Sequence, residues 1–239
     1  MNISQFLSSG GGKLRYQEFT STGPFTPSSR LIANGGQCFV TALAGAGSGG
    51  AARIASASNL SQACGGDAGQ LVEGMVTVSG ATTVTIGAGG ASVATTGTSN
   101  FNTNGNDGAD TTFGALLTAK GGKGGVAFDN SITHSARGGD GVGSQGQYVT
   151  DTTTTLSARG GAGKNGKGGG GGGTATYGVS HMTATDGGGA GAVATSGNVS
   201  ASNATANSGA GGGAVTLGLW SANSQTVTSG AGGSGWLRV

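Results

Sequence analysis

The residues that could do chemistry in this chain are few and widely spaced. His134 and His181 stand alone, with no cysteine or carboxylate at metal-ligand spacing, so no zinc site is expected. Glu18 and Glu73 are the only glutamates, and each falls in a β-rich run. No Gly-x-Ser-x-Gly elbow is present, so no catalytic residue is assigned. Cys38 sits in an apolar run and reads as a free buried thiol. Cys64 precedes a glycine pair, and a disulfide between the two stays open. Asn104, Asn106, Asp107 and Asp110 offer oxygens suited to calcium, but Asx residues making turns are the preferred reading. No metal is therefore assigned.

Binding chemistry is better represented. Tyr148, Tyr177 and Trp220, with His181 and Met182, lie in the stretches between glycine clusters. Tyr and Trp supply large rigid contact area at low entropic cost and dominate interface energetics. These five residues are the candidate receptor-binding set, the competing reading being that they fill gaps at a subunit interface. Two near-miss motifs are set aside. Gly45, Gly47 and Gly50 satisfy the dinucleotide spacing, yet at this glycine content three fixed glycines recur by chance about three times. Gly161 to Lys167 reads G-x-x-x-x-G-K, but Gly168 stands where a phosphate loop needs Ser or Thr for magnesium, and no helix can start among such glycines. No cofactor is expected, and the chain does not read as an enzyme.

The elements that must position these side chains are dictated by glycine. There are 56 glycines in 239 residues, roughly three times the usual ~7%. Only two prolines are present, which rules out collagen. In Ala158 to Gly173, glycine recurs every third position at 160, 163, 166, 169 and 172. Three residues per turn is the period of the extended polyproline II helix, which has no internal hydrogen bonds. Its backbone groups must then be paired by neighbouring strands, whose close approach needs glycine. A lattice of packed polyglycine II strands follows, in preference to disorder, because charge is low and Val, Thr and Ile are plentiful.

Net charge is +2, too small for nucleic-acid binding driven by counterion release. The basic residues are scattered singly, so no polybasic membrane patch forms. No run of about 20 apolar residues could insert into a membrane, and Met1 to Lys13 lacks the features of a signal peptide. Synthesis in a cytoplasm is expected.

Along the chain, residues 1–15 carry a short apolar cluster (Ile3, Phe6, Leu7) and read as a docking arm or a disordered terminus. Residues 16–90 read as a β-sandwich-like unit. It opens with a strand from Tyr16, a turn at Gly23–Pro24 and Phe25 resuming the apolar face. Gln37 to Gly45 reads as a buried central strand. Leu71–Gly80 and Thr82–Gly90 read as a hairpin, with Val76, Val78, Val84 and Ile86 as core candidates. Residues 51–60 read as loop or strand. Residues 91–239 are the glycine-rich lattice with exposed loops, and the terminal GAGGSGWLRV supplies a strand returning to the early sheet. Arg137 and Arg159, each in Ala-Arg-Gly-Gly, suggest a repeated role at the lattice edge. The fold class is all-β, and a homotrimer is expected because threefold association would pair exposed strand edges.

Several of these segments, taken in order, resemble the glycine-rich tail fibre and tail tip proteins of bacteriophages. GGKLRYQEFTSTGPFTP is similar to their opening aromatic-Thr strand and glycine turn. LIANGGQCFVTALAGAGSGG resembles their apolar strand running into a glycine cluster. Glu73 to Gly90 resembles their Val/Thr hairpin, Thr111 to Gly125 their Phe-Gly and paired-Gly signature, and GAGGSGW their close. The resemblance spans most of the chain from Gly11. It implies a virion component, commonly trimeric, whose loops on a polyglycine scaffold attach to a bacterial surface receptor, an outer-membrane protein or a polysaccharide, with other tail or spike proteins as partners. Alternatives are a purely structural spike or fibre-base protein that carries another adhesin, and a cellular glycine-rich wall protein.

Overall fold

The computed structural model describes residues 15–54, 61–97, 101–129, 171, 174–175, 180–181, 188–194, 197–218 and 225–239. It is nearly all β, in three tiers: two sheets at one end, a glycine lattice in the middle, and three small sheets at the other end.

The near tier uses β1 (Glu18–Phe19), β2 (Gly23–Phe25), β3 (Gln37–Leu43), β6 (Leu71–Thr77), β7 (Thr82–Thr85), β10 (Thr111–Phe113), β11 (Leu117–Ala119) and β19 (Trp236–Arg238). One sheet has the order β1-β19-β3-β6 and the other β11-β10-β7-β2. The terminal strand β19 thus lies between β1 and β3, and Gln17 and Val239 exchange both backbone hydrogen bonds at 3.0 Å. In β3, Val40 and Ala42 turn inward while Gln37 and Phe39 turn outward, the period-2 alternation of a half-buried strand. The inward faces of both sheets share one core of Phe19, Phe25, Val40, Ala42, Val78, Val84, Phe113 and Leu237, with Val76 and Ile86 partly buried against it. Phe25 and Phe113 meet edge-on with centroids 5.4 Å apart, the arrangement aromatic quadrupoles favour. A one-turn helix, α1 (Ser29–Ala33), is started by Ser28, whose Oγ accepts from the Leu31 N–H.

Two local expectations are corrected. β6 and β7 are not a hairpin: β6 pairs with β3 and β7 pairs with β10 and β2, so the Val78–Ala81 link carries the chain from one sheet to the other. Val72, Val76 and Val78 of the first run and Val84 and Ile86 of the second pack into the one core from opposite sheets, which a flat hairpin could not do. Gly23 and Pro24 are not a turn but part of β2, paired with Val84 and Thr83. β2 is an edge strand, where the missing proline N–H costs no ladder bond.

The far tier holds β4 (Ala51–Ile54), β5 (Ser61–Ala63), β8 (Ala94–Gly97), β9 (Phe101–Thr103), β12 (Ala127–Asp129), β13 (Thr174–Ala175), β14 (Ser180–His181), β15 (Ala192–Ala194), β16 (Val199–Ser200), β17 (Val215–Gly218) and β18 (Gln225–Thr228). They form sheets in the orders β12-β5-β13-β14, β15-β17-β4-β9 and β16-β18-β8. Ala51, Val215, Leu217 and Val227 make one small core here, and Ala52, Ala63, Ala127 and Ala214 another. Residues 51–54, left between loop and strand by the sequence, are β4.

Between the tiers the chain shuttles. Residues 44–50 join β3 to β4, 64–70 join β5 to β6, 86–93 join β7 to β8, 104–110 join β9 to β10, 120–126 join β11 to β12, 201–214 return from β16 to β17 by way of a turn at 206–209, and 229–235 join β18 to β19. Lattice strands therefore begin at Ala44, well before residue 91.

Candidate functional site: a glycine lattice and the end it presents

The lattice is easiest to read from residues 45–50. Gly45 N–H donates to Ala109 O, Ala46 to Gly233 O, and Gly47 to Asp67 O. The next three repeat the cycle: Ser48 to Asn106 O, Gly49 to Gly230 O and Gly50 to Cys64 O, all at 2.9 to 3.1 Å over the six bonds. Each step turns the donor to a new neighbour, and every third residue returns to the same one. That is the threefold screw of polyglycine II.

The carbonyls point the other way. Gly45 and Ser48 accept from Gly122 and Gly125, Ala46 from Gly90, and Gly47 and Gly50 from Gly212 and Val215. The strand thus has six neighbours. It donates to three that run against it and accepts from three that run with it, so its backbone is paired without a β-ladder. A Cβ added at Gly45, Gly47 or Gly49 would strike the backbone of Ala88, Lys123 or Gly213. Side chains are excluded because backbone occupies their place.

Rim strands lack a neighbour on their outer side, and side-chain oxygens fill that role. Asn104 Oδ1 accepts from the Ala127 N–H at 3.0 Å, Asp107 Oδ1 from Gly124 at 2.9 Å, and Asp110 Oδ1 from Gly121 at 2.9 Å. The three acceptors advance by three residues and the three donors retreat by three, again the lattice period. Asp107 and Asp110 also bind the Lys123 and Lys120 ammonium groups at 2.7 Å. The Lys120 bond, then the Gly121 N–H, hold the Asp110 carboxyl below its ordinary range. Of the four residues suggested for calcium, Asn104, Asp107 and Asp110 thus spend oxygens on backbone N–H groups and lysines, and Asn106 donates its side-chain amide to the Ala91 carbonyl at 2.9 Å. Among the described residues no cluster of three His, Cys, Asp or Glu could hold a metal. Nor is any described helix long and apolar enough to cross a membrane.

Both cysteines are free thiols. Burial, then the Asp67 charge, pushes the Cys64 thiol up to about 11, and burial also raises Cys38.

The candidate contact residues relate to the far tier through the strands that flank them. His181 is in β14, its backbone opposite Thr174 of β13. Tyr177 falls between β13 and β14, Met182 directly follows β14, and Trp220 falls between β17 and β18. Tyr148 falls in the long stretch after Asp129. Tyr148, Tyr177, Met182 and Trp220 lie outside the described residues, as do Arg137, Arg159 and the threefold glycine run from 160, apart from Gly171. One residue the sequence did not single out is Arg53 in β4. It is 1% exposed, and its Nε and Nη1 atoms have no hydrogen-bond partner among the described residues. A lone Arg amid alanines carries no signal of burial, because its setting is made by Leu217 and Phe101 on neighbouring strands.

The described residues thus form an all-β structure whose two tiers of sheet are spaced by a bundle of strands paired in the polyglycine II manner. A protein-family model described as a glycine-rich domain matches residues 20–239. The chain belongs to this glycine-rich domain family. No curated protein matches it.

Proposed function

We propose that the chain is a bacteriophage tail fibre or tail tip protein that attaches to a bacterial surface receptor through loops held at the far end of the glycine lattice. The observation that supports this is the polarity of the scaffold. Gln17 and Val239 meet in the near tier, while the connections that carry Tyr177, Met182 and Trp220 join far-tier strands. A lattice whose backbones are paired to six neighbours is stiff, so the far-tier strands that bracket these connections stay in place when a partner binds, and rearranging the scaffold adds no cost to binding. Attachment of this kind needs no bond making and no cofactor. The lattice bonds of residues 45–50 are all met within one chain, so pairing of those strands does not require a trimer. A purely structural spike or fibre-base protein is the second reading, since a stiff spacer serves that role equally well.

The test is binding of labelled purified protein to intact cells across a panel of bacterial strains. The expected result is saturable binding to at least one strain, reduced by Trp220→Ala or Tyr177→Ala at unchanged melting temperature. Saturable binding that both variants leave intact refutes the assigned residues. Binding to no strain favours the structural reading.

A further inference from the structure

Among the described residues, the large apolar side chains that stand exposed are Tyr16, Ile32, Phe39, Met75 and Leu116, and every one belongs to the near tier. Phe39 is 53% exposed and Met75 52%. They are direct cross-strand partners on the open face of the sheet β1-β19-β3-β6.

Beside them runs the edge strand β6. No residue of β6 is buried, and its pairing with β3 is unbroken from Leu71↔Leu43 to Thr77↔Gln37, without a bulge. The alternation of its backbone is fixed by two bonds that flank it: Val78 N–H donates to Gly36 O, and Gln70 O accepts from Ala44. Even-numbered residues therefore face β3, and Leu71, Glu73, Met75 and Thr77 turn their N–H and C=O groups outward from the sheet. Edge strands are ordinarily blunted by brevity, proline, lysine or a bulge. In this tier β1 has two residues, β11 three, and β2 carries Pro24. The seven-residue β6 has none of these four devices, and its one charge is Glu73.

We propose that β6 is a self-association edge that pairs antiparallel with β6 of a second copy, about a twofold axis at Met75. Only like-parity registers bring the outward backbone groups together. Centring on Glu73 would set two carboxylates against each other, and centring on Gly74, which parity also allows, would set each Met75 against the other copy's Glu73. Centring on Met75 sets the two methionines opposite one another, each Glu73 opposite the other copy's Thr77, and a Phe39 outside each methionine. The result is an apolar stripe of four side chains across a continuous eight-stranded sheet, a self-complementary isologous contact.

The experiment is molar mass by light scattering across a concentration series of the full chain, with three variants. The parent is expected to shift from monomer to dimer with concentration. Met75→Lys sets like charges opposite each other and lowers the association constant about tenfold, with the circular dichroism unchanged. Met75→Cys, treated with a short bifunctional maleimide, gives a covalent dimer, because hydrogen-bonded antiparallel partners have Cα atoms about 5.5 Å apart, which such a linker spans. Glu73→Cys, whose two copies would be four residues out of register, does not. A parent that stays monomeric throughout overturns the proposal, as does a trimer unaffected by Met75→Lys or a Glu73→Cys variant that cross-links as readily.

Discussion

Gly47→Ala tests the lattice most directly. Gly47 N–H donates to Asp67 O at 2.9 Å and its carbonyl accepts from Gly212 at 3.0 Å. An added Cβ would run into the Lys123 carbonyl and, at 2.7 Å, the Gly124 N. All of these atoms are backbone, so no flexible side chain can swing aside. Overpacking costs about 1–3 kcal/mol, and loosening the two bonds adds about 1 kcal/mol each. Alanine returns only ~0.4–1 kcal/mol by stiffening the unfolded chain. The net loss is about 2–4 kcal/mol, which for a chain of this size lowers Tm by roughly 5–15 °C. The control is Gly80→Ala, where nothing lies within 4 Å of the new Cβ, so stability stays level or rises slightly. Thermal and denaturant unfolding of the two variants beside the parent is the assay. Should Gly47→Ala melt with the parent, or Gly80→Ala fall as far, the claim that backbone contact demands glycine here is wrong.

Two further outcomes follow from the rim and the buried thiol. Asp110 has its folded pKa depressed by Lys120 and the Gly121 N–H, so its contribution is complete above the unfolded Asp value of about 4 and is lost as pH falls through the folded value. Acid titration of Tm should therefore show a shallow fall below pH ~4 that Asp110→Asn flattens, the effect being small because the pair is solvent-exposed. Cys64, with its thiol raised to about 11, should resist thiol reagents at pH ~8 in the native protein and react after denaturation; rapid native-state labelling of Cys64 would contradict its burial.

Part of this molecule was legible as sequence because its signals are local. Gln37 to Gly45 is a nearly continuous apolar run ended by glycine, and Gln37–Leu43 of it is the inner strand β3, though its outer face is open at Gln37 and Phe39. Glycine at this density without proline points to close-packed bare backbones, and the three-residue period found at 160–172 is the period by which residues 45–50 turn from neighbour to neighbour. The failures were equally physical. Leu71–Gly80 and Thr82–Gly90 carry hairpin chemistry, yet which strand each pairs with depends on two sheets facing one another. Asn104, Asp107 and Asp110 look alike as calcium ligands, turn formers or rim acceptors until the strand holding Gly121 and Gly124 is laid alongside.

The sequence alone determined that this chain would be all-β and would use glycine to bring backbones together, since period, side-chain size and β-branching are properties of single segments. Only the tertiary structure decided which six strands surround residues 44–50, that the bundle recruits segments from Ala44 onward, and that Gln17 and Val239 share one end while far-tier strands flank Tyr177 and Trp220. Those choices lie in pairings across scores of residues. A three-residue repeat offers the same register at every step, so the flanking strands and rim oxygens must select the partner.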